Sequence, residues 1–543
     1  MDNKFEDIDA IRDFVEERTE TMHFRGEEQN FLPKVDFETI TTLAVIRLAV
    51  FDDSKLAMVK NEESREKFAK VVHEKARVLF TMCVVGLQSS FPMLVLNGLM
   101  NEGLTDASLP LNRNSLASCT NKELTKEFKQ IYDKQKLFRT AYFALNSYQN
   151  LDGVTKPVKL EEGLSNILGK GAFGEVFRIE IHPQHRQFAS GANQKGEFAL
   201  KVTHQEGREL DFHRQMSDLQ HTNLLKCLAS FTFSSRYHMI YEKADSDVED
   251  FMDKHKFAHE CPDLSAEDLA SQFYGLAAAL QVIHDQDNGS PADPEPNLLG
   301  VPGSKPARSG YIHDIKPDNI LLFIYEVDGK KRYWFRLSDF SCAKVVSFVQ
   351  SVSGGKRHSH LSDNKAGNPT YRAPEMLMGR GTSRPYDLWS LGCVYLELLV
   401  WYLDGFDALL RFRSERFRMV RPGTIEDEGF CFTDEAGDNA KVLLRETVQR
   451  KMVELSERCT GGLRDIAEVI PQLLKINPKQ RPTAAQLKDM LKHLDTGERP
   501  PSIDDQSDVN NTFGASNAVM PSYDSDSDGS SFGGFITVTH PSK

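Results

Sequence analysis

The stretch Tyr311-Ile312-His313-Asp314-Ile315-Lys316-Pro317-Asp318-Asn319-Ile320-Leu321, followed at a short interval by Leu337-Ser338-Asp339-Phe340-Ser341, sets a few polar groups in a definite chain order. Phosphoryl transfer asks little of a protein. It needs a base for the acceptor hydroxyl, a cation on the γ-phosphate, and carboxylate and amide oxygens for Mg²⁺. Asp314, Lys316, Asn319 and Asp339 offer these in that order. Short Asp-x-Lys and Asp-Phe pairs also arise by chance, so the weight falls on what else the chain places around them.

Upstream lies Leu168-Gly169-Lys170-Gly171-Ala172-Phe173-Gly174-Glu175-Val176-Phe177. Glycines at this spacing let backbone N–H groups approach phosphate oxygens that a Cβ would obstruct. The same spacing can open a dinucleotide-binding unit, but there a helix follows the third glycine. Here Glu175-Val176-Phe177-Arg178-Ile179-Glu180-Ile181 alternates like a strand. The next apolar strand, Glu197-Phe198-Ala199-Leu200-Lys201-Val202, carries one lysine where a group gripping the α- and β-phosphates is expected. On its own that lysine would read as an edge-strand solubility residue.

With these motifs in order, residues from about 160 to 495 resemble a eukaryotic-type protein kinase catalytic domain of the Ser/Thr class. The resemblance implies an α+β, bilobal protein-kinase-like fold, with a small β-rich N-lobe and a large α-helical C-lobe. It also implies ATP and Mg²⁺, with Asp314 as base, Asn319 and Asp339 on the metal, and Lys201 and Lys316 on the phosphates. Lys201 needs a carboxylate on the next helix; Glu209 is the choice, with Glu206 and Asp211 as rivals.

The glycine loop with Leu168, Gly169, Gly171 and Gly174 would cover the nucleotide. Val176 and Ala199 would form the roof over adenine and Leu321 the floor, with Tyr241 at the gate of the deeper pocket. Glu242 and Ala244 would present a backbone carbonyl and N–H. Ordinary sheet core would show the same Val, Ala and Leu.

Further downstream, Gly367-Asn368-Pro369-Thr370-Tyr371-Arg372-Ala373-Pro374-Glu375 is similar to the end of a kinase activation segment. Glu375 is expected to be buried against Arg481, and Asp387 to cap the catalytic-loop backbone. Three positions depart from the family pattern. His313 replaces the arginine that holds a phosphorylated loop, so loop phosphorylation should matter less, or His313 serves as a pH-dependent substitute. Ser341 replaces a glycine and restricts the backbone there. Asn368 replaces a threonine, and an amide can still bridge the catalytic Asp and Lys. None of the groups that perform the transfer is lost. The competing reading is a pseudokinase, a scaffold or nucleotide-binding signalling module; a small-molecule phosphotransferase is a third, disfavoured by the segment ending at Glu375.

Composition adds bounds. The 543 residues exceed one ordinary domain, and a 40% hydrophobic content suffices for a core. A net charge of −13 argues against a nucleic-acid surface. The eight cysteines show no C-x-x-C pair, which reads as free thiols without structural zinc. Met1 to Asp7 has no apolar run of the secretory kind, so the expectation is intracellular, cytoplasmic or nuclear.

Residues 1–155 read as an all-α regulatory or interaction domain that could hold a protein partner. One helix is expected from a Thr120/Glu123 capping box, with Leu124, Phe128, Ile131, Phe138, Tyr142 and Leu145 on one face. Val78 to Met100 is nearly continuous apolar sequence. Its polar interruptions favour a buried helix pair over a membrane span, so no stable membrane insertion is expected. Residues 285–309 read as a surface insertion within the 160–495 domain, Lys356 to His360 as a basic element or a solvated loop, and residues 496–543 as a disordered acidic Ser-rich tail.

Overall fold

The structure is a computed structural model. It describes residues 4–87, 91–161, 163–171, 174–189, 196–203, 209, 212–213, 221–284, 307–348, 369–379, 383–419, 426–434 and 441–501. The expectations for Glu206, Asp211, Gly367, Asn368, Lys356 to His360, and nearly all of the insertion and the tail lie outside these residues. Residues Met1–Asp504 form one compact unit.

The N-terminal region is helical, with helices Ile8–Arg18, Lys34–Ile40, Leu43–Asp52, Ser54–Val59, Glu62–Lys75, Arg77–Gly86, Pro92–Asn101, Lys122–Ile131 and Gln135–Phe138. The apolar run is indeed split, and its two helices bury Leu79, Phe80, Met82, Met93, Leu96 and Leu99 in one core. Among the described residues no helix is long and apolar enough to cross a membrane.

Two aspartates, Asp53 buried and Asp106 half-buried, order these helices. Asp53 accepts the Leu56 N–H at 2.9 Å and the Met93 and Leu94 N–H groups at 2.9 and 3.0 Å, so one carboxylate caps two helix starts. Asp106 accepts Val78 and Leu79 N–H at 2.9 and 3.1 Å. The later helix departs from expectation. Its cap is Asn121, which accepts the Glu123 and Leu124 N–H at 3.1 Å each, and the regular helix stops at Ile131. Tyr142 and Leu145 therefore lie beyond it, where the chain turns toward the sheet. A short side chain one residue later reaches the same orphan donors, so the Thr120 box never forms.

The region also contains a hairpin that the all-α expectation omitted, β1 (Glu20–Phe24) and β2 (Glu27–Phe31). Arg25 and Gly26 both hold positive φ, 54° and 77°, as a two-residue hairpin turn demands. The hairpin meets the sheet that follows. Leu160 donates to His23 O at 2.8 Å, Arg25 donates to Leu160 O at 2.9 Å, and Phe24 packs with the sheet core.

That sheet has seven strands: β3 (Ser147–Asn150), β4 (Val158–Lys159), β5 (Ile167–Gly171), β6 (Gly174–Ile181), β7 (Glu197–Thr203), β8 (Cys227–Phe233) and β9 (Arg236–Glu242), in the order β3-β8-β9-β7-β6-β4 with β5 on β6. Only β3 runs parallel to its neighbour. A small sheet follows, β10 (Ser246–Asp247) beside β12 (Ile320–Val327) beside β13 (Lys330–Leu337), while β11 (Ala307–Tyr311) pairs elsewhere. The rest is mostly helical, built around Arg384–Asp404, which is buried continuously from Tyr386 to Trp401. A helix apolar on every side can only sit inside other helices, and Ala266–His284, Phe406–Arg416 and Gly462–Leu473 share its core.

Candidate active site

Strand register brings the upper half of the site together. In the β5–β6 hairpin Gly169 faces Val176 and Gly171 faces Gly174; in β6–β7 Val176 faces Lys201; in β7–β9 Ala199 faces Tyr241. Alternation along β7 then puts Lys201 on the face shared with Ala199. Its ammonium reaches Glu209 Oε2 at 2.6 Å and Asp339 Oδ1 at 2.8 Å, so the carboxylate chosen for it is in contact. Burial opposes the charge on Lys201, but the two carboxylates outweigh it and its pKa stands above the ordinary lysine value. For Asp339, burial is likewise overcome by Lys201, and its pKa is lowered. Burial dominates at Glu209, whose pKa is raised despite Lys201.

Asp339 itself adopts a left-handed backbone, φ 53° and ψ 72°. Ser341, where the family has glycine, is in a short 3₁₀ turn, and its hydroxyl donates to Asp339 Oδ1 at 2.6 Å. The conformational demand falls on the aspartate, and the serine holds the carboxylate.

In the loop after β11, Asn319 Nδ2 donates to Asp314 O at 2.8 Å and to Asp314 Oδ2 at 2.9 Å, and Lys316 Nζ lies 3.6 Å from the same Oδ2. Both amide hydrogens of Asn319 are thus spent on Asp314. Its Oδ1, with a carboxylate oxygen of Asp339, is the hard-oxygen pair left for a cation. Mg²⁺ asks for just one or two protein oxygens beside phosphates and water, so the donor set fits.

The residues expected around adenine converge less tightly. Val176, Ala199, Tyr241, Ala244 and Leu321 belong to one apolar cluster, whereas Leu168 at the loop's start is 46% exposed. Leu321 lies in β12 opposite Arg336. Glu242 is buried, and its side chain has a job that sequence reading did not assign. It pairs with Arg336 and accepts from the Tyr325 hydroxyl at 3.1 Å, while Arg336 also donates to Tyr325 Oη at 2.7 Å. That network ties the strand end expected to face adenine to β13, the strand leading to Asp339.

Two other polar residues with cross-fold partners went unread. Glu397, fully buried, receives Arg416 at 2.6 Å, Arg413 at 2.7 Å and the Tyr371 hydroxyl at 2.8 Å. Burial alone would raise its pKa; the arginines override that and hold it at about 2. His213 is the other, with its Nε2 2.8 Å from Tyr241 Oη. Charge on a helix gives no sign of which partner it will meet across the fold. The expected pairs form as well: Arg481 grips Glu375 at 2.9 and 2.8 Å, and Asp387 accepts the Ile312 and His313 N–H at 2.9 and 2.8 Å.

A lysine–carboxylate pair under a glycine hairpin, above a loop bearing aspartate, lysine and asparagine, is the arrangement of a protein kinase, and comparison with known proteins agrees. Residues 163–288 match the family described as protein tyrosine and serine/threonine kinase, and residues 308–493 match the protein kinase domain. The chain carries a eukaryotic-type protein kinase catalytic domain. Among curated relatives, dual specificity tyrosine-phosphorylation-regulated kinase 3 of Macaca fascicularis and of Homo sapiens are each 28% identical over 247 residues. The alignment covers 43% of this chain and 34% and 32% of theirs. Dual specificity tyrosine-phosphorylation-regulated kinase mbk-2 of Caenorhabditis elegans is 25% identical over 245 residues, 44% of this chain and 24% of its own. The match therefore spans about a third or less of the length of these relatives.

Proposed function

We propose that the protein is an ATP-dependent kinase that transfers the γ-phosphate to Ser/Thr hydroxyls of protein substrates. The observation that carries this reading is the Lys201–Glu209–Asp339 triad, closed at 2.6 and 2.8 Å around a lysine that a scaffold has no need to hold extended. Asp314 orients the acceptor hydroxyl and takes its proton. Lys316 beside it balances charge on the moving phosphoryl group, and Lys201 does so on the α- and β-phosphates. Asn319 and Asp339 would hold Mg²⁺, which supplies neutralisation of phosphate charge. Little covalent work is asked of the side chains, so positioning and fixed charges carry the rate.

The relatives' names add tyrosine as an acceptor to be tested beside serine and threonine. The helical N-terminal region, residues 1–155, serves on this reading as an interaction or regulatory module in an intracellular enzyme, the catalytic domain being 160–495.

The test is radiolabel transfer from ATP to generic Ser/Thr substrates and to the protein itself. Asp314→Asn and Lys201→Met should abolish it while circular dichroism still shows a folded protein, with Lys201→Met melting lower because Glu209 and Asp339 lose their cation. Equal transfer by the mutants and the parent protein would refute the assignment.

A further inference from the structure

One side chain joins β9 and the residue after Asp339 yet has no role in the chemistry above. His213 and Glu209 are both helical in conformation and four residues apart, the spacing that sets two side chains on one face. Its Nε2 is 2.8 Å from the hydroxyl of Tyr241 on β9, its ring centre 5.5 Å from that of Tyr241, and its ring stands edge-on to Phe340 at 5.3 Å and 85°. Phe340, the residue after Asp339, stacks in turn on Phe212 at 4.8 Å and 19°. The Tyr241 hydroxyl is also 3.4 Å from Glu209 Oε1.

We propose that His213 is a positioning residue, whose imidazole and the Tyr241 hydroxyl form a polar clasp holding Glu209 against Lys201 from the side away from the nucleotide. This rests on the kinase reading, since it assigns the control of that same lysine.

The hydrogen count supports it. A phenol has one hydrogen, and three possible acceptors stand beside it: His213 Nε2 at 2.8 Å, and Glu209 Oε1 and Met239 Sδ at 3.4 Å each, the thioether being the weakest of them. If the imidazole carries its proton on Nε2, it donates to Tyr241 Oη and frees the phenol hydrogen for Glu209, so both contacts are satisfied in one chain, His213 to Tyr241 to Glu209. An uncharged ring is the right donor here. A lysine or arginine at this position would compete with Lys201 for the carboxylate, whereas a neutral imidazole leaves the Glu209 charge to Lys201. Burial, and then the nearby Lys201 ammonium, push the His213 pKa down to about 3, so the ring stays neutral throughout the working range. Buried polar groups without partners are costly, so neither ring is a plain space-filler.

The clasp implies that Glu209 is held on Lys201 from β9 as well as by its own stretch of chain. It also implies that the space behind Tyr241 is filled by His213, Phe340 and Phe212.

The experiment uses the full chain and four variants, His213→Leu, His213→Gln, Tyr241→Phe and the Leu/Phe double, with kcat and KM for ATP, and dissociation constants for adenosine and for Mg-ATP. His213→Leu and Tyr241→Phe should each lower kcat by about tenfold, equivalent to about 1.4 kcal/mol on the barrier. The double should fall no further than the worse single, because both remove the same contact. Glutamine reaches the Nε2 position and should restore kcat to within about threefold. Adenosine affinity should stay unchanged while Mg-ATP affinity weakens.

Unchanged kcat in His213→Leu, multiplicative losses in the double, or adenosine and Mg-ATP affinity falling together would overturn the clasp. If the leucine variant fails to fold, Tyr241→Phe and His213→Gln still decide it: a loss in the first with retention in the second supports it, and equal loss refutes it. Absence of any transfer sensitive to Asp314→Asn would instead refute the kinase reading. The clasp would then be judged on Mg-ATP affinity, supported by equal weakening in His213→Leu and Tyr241→Phe and overturned by none.

Discussion

Asp387, wholly buried in the helix Arg384–Asp404, accepts the backbone N–H of His313 at 2.8 Å, and His313 holds a left-handed backbone with φ of 71°. A non-glycine residue in that region costs of order 1–3 kcal/mol and persists only where its surroundings impose it. Asp387 is that imposition. It also accepts from Ile312 N–H and approaches His284 Nε2, each at 2.9 Å. The aspartate of a distant helix thus sets the path of the chain immediately before Asp314. Asp387→Ala should lower stability by about 3–5 kcal/mol in urea titration. It should also cut transfer by at least about a hundredfold, since small misplacement of a reacting group costs that much. Normal activity in a folded Asp387→Ala protein would disprove the link.

The glycines of the loop divide into two kinds. A Cβ on Gly174 would come within 2.2 Å of Val202 O, at a φ of 149°, whereas a Cβ on Gly171 meets nothing within 4 Å among the described residues. Gly174→Ala should therefore disturb the β6–β7 pairing and lower the melting temperature. Gly171→Ala should melt normally and yet raise KM for ATP, because only the nucleotide needs that space. A melting loss in Gly171→Ala, or none in Gly174→Ala, would contradict this division.

Glu375 and Arg481 form a bidentate pair in which neither side chain is more than 3% exposed. Removing one partner strands the other charge, at about 3–5 kcal/mol, whereas replacing both with apolar groups of similar volume is far milder. Urea midpoints of Glu375→Leu, Arg481→Met and the double should show the double as the more stable protein. An additive loss in the double would mean the charges matter for more than each other.

His185 lies where the N-terminal hairpin meets the sheet, its Nδ1 3.0 Å from Ala141 O and its ring packed on Phe31 and His182. Burial first, with His182 and Lys34 nearby, pushes its pKa down to about 4 from 6.5. The unfolded chain then takes up the proton before the folded one does. Stability from this group is complete above pH 6.5 and is lost as pH falls toward 4, by about 2 kcal/mol at pH 5. His185→Asn keeps a donor for Ala141 without titrating and should flatten the fall in melting temperature between pH 7 and 5. An unchanged slope would remove His185 as the cause.

How far the chain could be read follows from the distance over which each requirement acts. The four groups of the candidate catalytic stretch, the glycine hairpin and the strand lysine lie within short motifs whose spacing repeats their chemistry, and the structure pairs Asp314 with Asn319 and Lys316, and Lys201 with Asp339. The Asn121 start, the break at Ile131 and the β1–β2 hairpin were missed because local competition decides them: one capping side chain against its neighbour, one turn against continued helix.

The order of residues along the chain specified which reactive groups this protein has, because those groups are set by identity and local spacing. Folding chose many of their partners. That Arg336 holds Glu242, that Glu397 gathers Tyr371, Arg413 and Arg416, and that His213 touches Tyr241 depends on packing of elements far apart in the chain. Burial there makes an unpaired polar group costly, so each buried charge or donor settles on whatever complement the packed core places within reach, and no pattern along a single helix or strand records that choice.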